Sequence, residues 1–338
     1  MLKAEGTIEK HVVGSVTESL VADPVAPEDY ARLTEIFENP SLQMVTFTIT
    51  EKGYSLVNGK GEKLPGVEDG FLAGPGNQSH LMGRIASLCY ARFVKNGTPL
   101  ALVSTDNCSH NGDKLKAGVM AYVDAWKQAG KVDDDFVSYM EEKVSFPWSM
   151  IDKITPRPDE KVKEMLEKDG FEDTDLIITS RNTYTAPFVN SEETGYLVIE
   201  DNFPNGRPPL EKAGIVFTDR ETVDKVEKMK VCTCLNPLHT ALAIYGCMLG
   251  HTSIHDEMED KELSQLIQKM CYEEAMSVVV NPGVIDPKEF ANAVLTKRLP
   301  NPFMPDTPQR HRELPVIRHK NSQSALARQL SSMRTEKT

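Results

Sequence analysis

Short runs of β-branched and apolar residues alternate with segments of helical periodicity through the first half of the chain. Residues 45–50 and 99–104 predict strands, and residues 81–96 between them place apolar side chains on one helical face. Residues 114–129 and 133–143 predict two further helices. Strands that alternate with crossover helices are typical of a parallel sheet covered by helices. The pattern therefore predicts an α/β domain.

The pattern changes near residue 215. Residues 176–178 and 196–199 are the last predicted strands, whereas helical apolar spacing dominates the segments 221–250, 260–276 and 287–295. The second half of the chain is therefore predicted to be mainly helical.

These patterns divide the chain into three parts. Residues 1–215 are predicted to form a Rossmann-like domain and residues 216–310 an α-helical domain. Residues 311–338 carry six Lys or Arg, two Glu and no periodic apolar pattern. They are predicted to be a basic tail.

Composition places the chain among ordinary globular proteins. Of its 338 residues, 40% are hydrophobic and 26% are charged, which is enough for two domains with buried cores. The formal net charge of -12 argues against nucleic acid or anionic lipid as a partner. No apolar run approaches the roughly 18 to 20 residues that span a bilayer, and the N-terminal residues lack the apolar core of a secretory signal. We expect a soluble cytoplasmic protein with no nucleic-acid or membrane partner.

Four segments concentrate polar residues within apolar surroundings: 104–113, 146–156, 198–208 and 230–239. The first follows a predicted strand, at the edge where ligands gather in open α/β sheets. A turn that caps the following helix would explain it equally well. The second segment is also compatible with a turn bounded by prolines.

The fourth segment brings a lysine, an amide and an imidazole to one apolar helix, as Lys230, Asn236 and His239. Burial on such a face lowers the pKa of a lysine, which would suit Lys230 to act as a general base. The alternatives are a lysine whose ammonium reaches solvent and a histidine that is hydrogen-bonded within the core.

Cys232 and Cys234, together with His239, are the remaining candidate for a metal site. Residues two apart on a helix point about 200° apart, so the two thiolates do not face a common ion. We predict buried small residues here and no metal. The six cysteines of the chain are also too scattered for a disulfide framework, and we expect them to be reduced.

Taken together, these segments resemble the long-chain, polyol-specific dehydrogenases, the family of mannitol dehydrogenase, fructuronate reductase and tagaturonate reductase. The resemblance runs from about residue 12 to residue 310, and it looks closest to the fructuronate reductase branch. Six motifs carry it in order: TITEKGY at 48–54, DNCSHNG at 106–112, FPWSMIDKITP at 146–156, VIEDNFPNGRP at 198–208, MKVCTCLNPLHTALAIYGCMLG at 229–250 and NPFMPDTPQR at 301–310.

The resemblance implies reversible, metal-independent hydride transfer between NAD(P)H and a polyol, ketose or hexuronate. NAD is the expected cofactor and NADP the alternative. Lys230 would be the general base that takes the alcohol proton. Asn236 and Asn107 would donate hydrogen bonds to the developing alkoxide, and His239 would bind a neighbouring substrate hydroxyl. The favoured reaction interconverts D-fructuronate and D-mannonate; mannitol/fructose and tagaturonate chemistry are the alternatives.

The same resemblance implies roles for three further residues. Asp152 would contact the substrate or the nicotinamide ribose, and Glu227 would be a proton-relay candidate one helical turn before Lys230. Arg310 would bind substrate oxygens, and its planar guanidinium suits a carboxylate.

Members of this family begin with a strand and a glycine-rich turn that holds the cofactor's pyrophosphate. This chain starts after that βαβ unit, and the string at 74–77 lacks the G-x-G-x-x-G spacing and is predicted to be a loop. The expected fold is therefore an incomplete doubly wound, Rossmann-like sheet followed by a mainly α-helical domain.

Three expectations follow from this incomplete sheet and from the loss of the resemblance after Arg310. Cofactor binding would be weakened. The alternative function is then a catalytically impaired fragment of the family or a binding module. A strand at 11–16, left without its neighbour, would expose unpaired backbone groups and favour self-association.

The spacing of the catalytic candidates departs by one residue from the commoner family pattern. Lys230 lies six residues before Asn236 and nine before His239, where the family has five and eight. At about 100° per residue, an ideal helix would turn Lys230 away from the other two. A π-bulge, which inserts one residue into a helix, would absorb the difference. We therefore predict an i to i+5 turn between Lys230 and Asn236.

Overall fold

The computed structural model describes residues 1–302 except 2, 4, 154, 156, 157, 179–183 and 194. The strands are β1 (Met44–Phe47), β2 (Leu100–Ser104), β3 (Val144–Ser145), β4 (Ser149–Asp152), β5 (Ile177–Ile178), β6 (Tyr184–Thr185), β7 (Tyr196–Glu200) and β8 (Val216–Thr218). The helices are α1 (Pro27–Glu38), α2 (Val67–Ala73), α3 (Leu81–Lys95), α4 (Asn111–Gln128), α5 (Asp134–Glu142), α6 (Glu160–Lys168), α7 (Arg220–Lys228), α8 (Asn236–Leu249), α9 (Ile254–Glu259), α10 (Lys261–Lys269) and α11 (Pro287–Ala293).

A parallel sheet in the order β1-β2-β3 forms the centre of the first half. The side chains of β2 alternate between its faces: Leu100 and Leu102 join the core formed with the helices, whereas Ala101 and Val103 pack with Ile199 of β7. All five residues of β2 are buried because both of its faces are covered. The predicted Rossmann-type domain is confirmed.

A second sheet, in the order β4-β7-β8, extends this half of the molecule. β4 pairs antiparallel to β7, and β7 pairs parallel to β8. β4, β7 and β8 thus form a mixed sheet, which the alternation of strands and helices did not reveal, and β5 and β6 pair antiparallel with each other in a separate two-stranded sheet. β8 ends at Thr218. The sequence pattern did not predict this strand, because three residues are too few for a strand periodicity to be recognised.

The second half is helical, as predicted. Its core includes Leu238 and Leu242 of α8, Leu263 and Ile267 of α10, and Ala291 of α11. In the described part of the chain, α7, α10 and α11 each continue into a π-helical turn: Met229–Cys234, Met270–Glu274 and Val294–Arg298.

The strand predicted at residues 11–16 is not formed, so this prediction is wrong. The segment has no regular secondary structure, and Val12, Val13 and Val16 are 94%, 72% and 70% exposed. Gly14 and Ser15 interrupt the apolar run, and β-propensity without a covering surface is not enough to form a strand. Within the described residues β1 and β3 are the two edges of the parallel sheet, and each pairs with β2 alone.

The continuous helical run Arg220–Leu249 is long enough and apolar enough to cross a membrane, by length and composition alone. Its inward side packs within the protein, through Val223 and Val226 against β4 and β7 and through Leu238 and Leu242 in the helical core. On its other side Ile244, Tyr245, Met248 and Leu249 are exposed, so these contacts account for only part of its apolar composition.

The buried guanidinium of Arg92 connects α3 by hydrogen bonds to the end of α1 and to the segments that precede β1 and β2. Arg92 is fully buried, and its N–H groups donate to backbone carbonyls. The acceptors are Phe37, Asn39, Leu42, Thr98 and Pro99, at 2.6, 2.8, 3.0, 2.8 and 3.1 Å. Arg92 therefore holds these segments together at the start of β2. All five of these acceptors are backbone carbonyls, and none is a carboxylate.

We expect Arg92→Met to destabilise the protein strongly, because it leaves several buried carbonyls without donors at about 1 to 3 kcal/mol each. Lys95→Met, on the exposed end of the same helix, is the control and should change the free energy of unfolding by less than about 0.5 kcal/mol. Urea unfolding followed by circular dichroism measures both. Equal stability of the two variants would contradict the structural role given to Arg92.

Candidate active site

The loop after β2 is held in one conformation by its own polar side chains. The carboxylate of Asp106 accepts hydrogen bonds of 2.8 Å from the backbone N–H groups of both Ile49 and Thr50. The side-chain amide of Asn111 donates to the carbonyls of Ser104 and Ser149, at 3.2 and 3.0 Å. Asn107, between these anchors, is exposed at the carboxyl edge of the sheet.

Asp152 ends β4, directly opposite Tyr196 in the antiparallel ladder with β7. It is 6% exposed. A carboxylate at such a position requires positive partners, because an unpaired buried charge is strongly unfavourable.

Lys230 lies in the π-helical turn Met229–Cys234, so the predicted i to i+5 turn is confirmed. The N–H of Leu235 donates to the carbonyl of Lys230 at 3.1 Å. The hydroxyl of Thr233 donates to the carbonyl of Met229 at 2.6 Å, and Pro237 has no N–H to continue an α-helical ladder. These two residues explain why the wide turn forms here.

The turn directs the Lys230 side chain inward, where it is 1% exposed. Its ammonium donates to Asn107 Oδ1 at 3.2 Å and to the carbonyl of Ile151 at 2.9 Å, and it lies 3.0 Å from Asp152 Oδ1. Burial lowers the pKa of Lys230, while the charge of Asp152 and its hydrogen bond act in the opposite direction. The arrangement in which Lys230 points to solvent is excluded.

Two charged residues that the sequence patterns did not single out complete this network. The other oxygen of Asp152 contacts Arg298, whose Nη2 lies 3.1 Å from Glu192 Oε1. Glu192 is 2% exposed. The buried hydroxyl of Tyr196 has no hydrogen-bond partner within the described residues, and burial raises its pKa. No local motif marked these residues, and only the fold brings them to Asp152.

The remaining site candidates lie in different places. Asn236 begins α8 directly after the π turn and is exposed, and His239 follows one turn later, half-buried. Glu227 accepts a 3.4 Å hydrogen bond from the backbone N–H of His110 and, within the described residues, not from Lys230. Arg310 lies outside the described residues.

Other sequence motifs have structural roles. In the segment 198–208, Glu200 accepts from Trp148 N–H and Arg220, and Arg207 pairs with Asp201. The segment 74–77 is a loop, as predicted. Cys234 is fully buried, but Cys232 is exposed, so the prediction of two buried small residues is wrong for Cys232.

Family models match most of the chain. The mannitol dehydrogenase Rossmann domain matches residues 3–212, and the mannitol dehydrogenase C-terminal domain matches residues 222–319. A D-mannonate oxidoreductase of Thermotoga maritima is 52% identical over 311 residues, which are 91% of this chain and 57% of that protein. Mannitol dehydrogenase 2 of Saccharomyces cerevisiae is 30% identical, over 88% of this chain and 55% of that protein. The chain thus spans about half the length of the curated relatives it matches.

Solved structures show the same fold. A D-sorbitol dehydrogenase in substrate-free form has a TM-score of 0.71 and 26% identity, covering 84% of this chain and 55% of that one. The mannitol 2-dehydrogenase of Pseudomonas fluorescens, in a ternary complex with NAD and D-mannitol, has a TM-score of 0.67 and 25% identity. That likeness covers 88% of this chain and 56% of that chain.

The lowered pKa of Lys230 predicts how stability depends on pH. Between this pKa and the ordinary value of 10.5 the unfolded chain binds more protons than the folded one, so stability rises with pH across that interval. We expect the wild type to gain stability relative to Lys230→Met as pH increases from 7 toward about 10, by about 1.4 kcal/mol for each unit of pKa difference.

Lys228→Met is the matched control for this measurement. The pKa of Lys228 is raised by its hydrogen bond to Asp224, so its contribution is present at neutral pH and is lost as the pH passes its folded pKa. Urea unfolding at several pH values compares the three proteins. Parallel curves for wild type and Lys230→Met would show that folding does not change the proton affinity of Lys230.

Proposed function

The chain belongs to the mannitol dehydrogenase family, and we propose that it takes part in reversible, NAD-dependent oxidation of a sugar acid or polyol, with the D-mannonate/D-fructuronate pair favoured. The 52% identity to a D-mannonate oxidoreductase supports this choice of substrate. The observation that carries the proposal is the burial of Lys230 against Asn107 and Asp152 at the carboxyl edge of the sheet.

Lys230 is proposed to exchange the proton of the reacting oxygen. In oxidation, its neutral amine takes the proton of the substrate hydroxyl; in reduction, its ammonium returns that proton to the carbonyl oxygen. Burial favours the neutral form of Lys230, whereas Asp152 favours the ammonium. A bound NAD would supply the acceptor for the hydride of the reacting carbon.

Two amides and an imidazole are proposed to hold the substrate. Asn107 accepts from Lys230 through Oδ1, and in the described part of the chain its side-chain N–H groups have no acceptor, so they are available to the alkoxide oxygen. Asn236 and His239, on the first turn of α8, are proposed to bind the reacting oxygen and a neighbouring hydroxyl. Arg310 is proposed to bind the substrate carboxylate.

The described residues fit the nicotinamide end of NAD better than its pyrophosphate. Ligands of parallel α/β sheets lie at the carboxyl ends of the strands, where Asn107 is exposed beside Lys230. Asp152 has both oxygens engaged by Lys230 and Arg298, so we propose that it acts on the site through Lys230 and lies next to the ribose. We assign the pyrophosphate to no described residue.

Titration of the chain with NADH, followed by assays with D-fructuronate, D-tagaturonate and D-fructose and both cofactors, tests the function. We expect NADH binding and the fastest turnover with D-fructuronate. A preference for fructose or tagaturonate would replace the proposed substrate. Absence of NADH binding would contradict the enzyme and favour a binding module or an impaired fragment.

We expect Lys230→Ala to lower kcat by about 100- to 10,000-fold, the usual range for losing a general acid or base. Lys228→Ala, an exposed lysine two residues away, should keep near wild-type turnover. Addition of methylamine should partly restore activity to Lys230→Ala alone, since a small amine can occupy the space left by the side chain. Turnover of Lys230→Ala close to wild type would remove Lys230 from the mechanism.

A further inference from the structure

Arg298 bridges two buried carboxylates behind Lys230. One guanidinium nitrogen contacts Asp152, and the other lies 3.1 Å from Glu192. The side chain of Arg298 is only 9% exposed. A planar guanidinium suits this bridge because its two terminal nitrogens point toward separate acceptors.

We propose that Arg298, anchored by Glu192, is a positioning residue for the proposed reaction: it holds one oxygen of Asp152 so that the other faces the Lys230 ammonium. The inference rests on the proposed function and assigns it two further residues. Asp152 Oδ1 lies 3.0 Å from Lys230 Nζ, while Oδ2 contacts Arg298. With a different cation on each oxygen, the carboxylate cannot rotate without breaking a buried ion pair.

Both cations reach Asp152 from π-helical turns. The N–H of Leu235 donates to the carbonyl of Lys230 at 3.1 Å, and the N–H of Leu299 donates to the carbonyl of Val294 at 2.9 Å, each an i to i+5 bond. Such turns insert one residue into a helix and are frequent at functional sites. Two of the three π turns in the described residues thus bring a cation to the same carboxylate.

The charges that face Lys230 come from three parts of the fold: Asp152 from β4, Glu192 from the segment before β7, and Arg298 from the turn after α11. Tyr196 of β7 lies next to Asp152 and Arg298 as a neutral phenol. Burial is the largest influence on the pKa of Lys230 and lowers it; Arg298 also lowers it, whereas Asp152 and Glu192 raise it. Neutralising Arg298 and neutralising Glu192 should therefore move this pKa in opposite directions.

The pH dependence of alcohol oxidation tests the inference, because kcat should rise as Lys230 becomes neutral. Arg298→Gln should lower kcat and move this rise to higher pH by roughly one unit. Glu192→Gln should move it to lower pH. Arg298→Lys keeps the charge but replaces the planar guanidinium with a compact ammonium that holds the two carboxylates less rigidly, so it should lower kcat with little movement of the profile. A residue that only stabilises the fold would not produce opposite displacements. Unmoved profiles in folded Arg298→Gln and Glu192→Gln would overturn the proposal.

A second measurement does not depend on turnover. NMR titration of protein with 13Cε-labelled lysine, with the Lys230 signal assigned through Lys230→Met, reports the pKa of Lys230 directly. The pKa of Lys230 could move in opposite directions in Arg298→Gln and Glu192→Gln while the wild type turns over no tested substrate. That result would uphold the positioning network and contradict the proposed function. Equal values in an active wild type and in Glu192→Gln would overturn the network, even where Arg298→Gln fails to fold.

Discussion

The burial of Lys230 is the constraint on which the rest of the site depends. Removing an ammonium from water costs several kcal/mol unless a counter-charge and hydrogen bonds replace the solvent. Asp152 provides the counter-charge but is itself 6% exposed, so it needs Arg298, and the buried Arg298 in turn contacts Glu192. Two cations and two carboxylates thus alternate in space with no net charge. Each of these four side chains depends on its neighbours for a counter-charge.

Apolar contacts bring the helical half against the second sheet and so place these charged groups near one another. Val223 and Val226 of α7 pack against Met150 of β4 and Val198 of β7, which places the end of α7 beside the end of β4. The π turn that follows then has only to rotate Lys230 inward to meet Asp152. On the other side, Asn111 joins the loop after β2 to Ser149 of β4, so Asn107 reaches the same ammonium. Apolar packing places α7 against the second sheet, and hydrogen bonds then determine the positions of Lys230, Asp152 and Asn107 relative to one another.

Local sequence information predicted those features that depend on local physics. The helical face of α3 and the strand β2 each follow from the pattern of a short stretch of sequence, whereas the extra residue between Lys230 and Asn236 was apparent only against the spacing of the resembled family. Arg298 is 146 residues from Asp152, and no spacing rule connects positions so distant. The predicted strand at 11–16 failed for the converse reason: its valines have strand propensity, but a strand forms only where a neighbour pairs with it.

The extra residue in the lysine helix has a consequence for acid–base chemistry. A lysine buried with no carboxylate would remain neutral and could not return a proton to a carbonyl, whereas one paired with a freely solvated carboxylate would remain an ammonium and could not accept a proton. Lys230 experiences both influences, because burial and the charge of Arg298 lower its pKa while the charge of Asp152 raises it. The π turn is what brings the lysine into this balance, since Thr233 and Pro237 widen the helix where an α-helical turn would leave the side chain facing elsewhere. The proposed reversible reaction needs a neutral Lys230 for oxidation and an ammonium for reduction, and the register of one helical turn places Lys230 where burial and Asp152 act on its pKa in opposite directions.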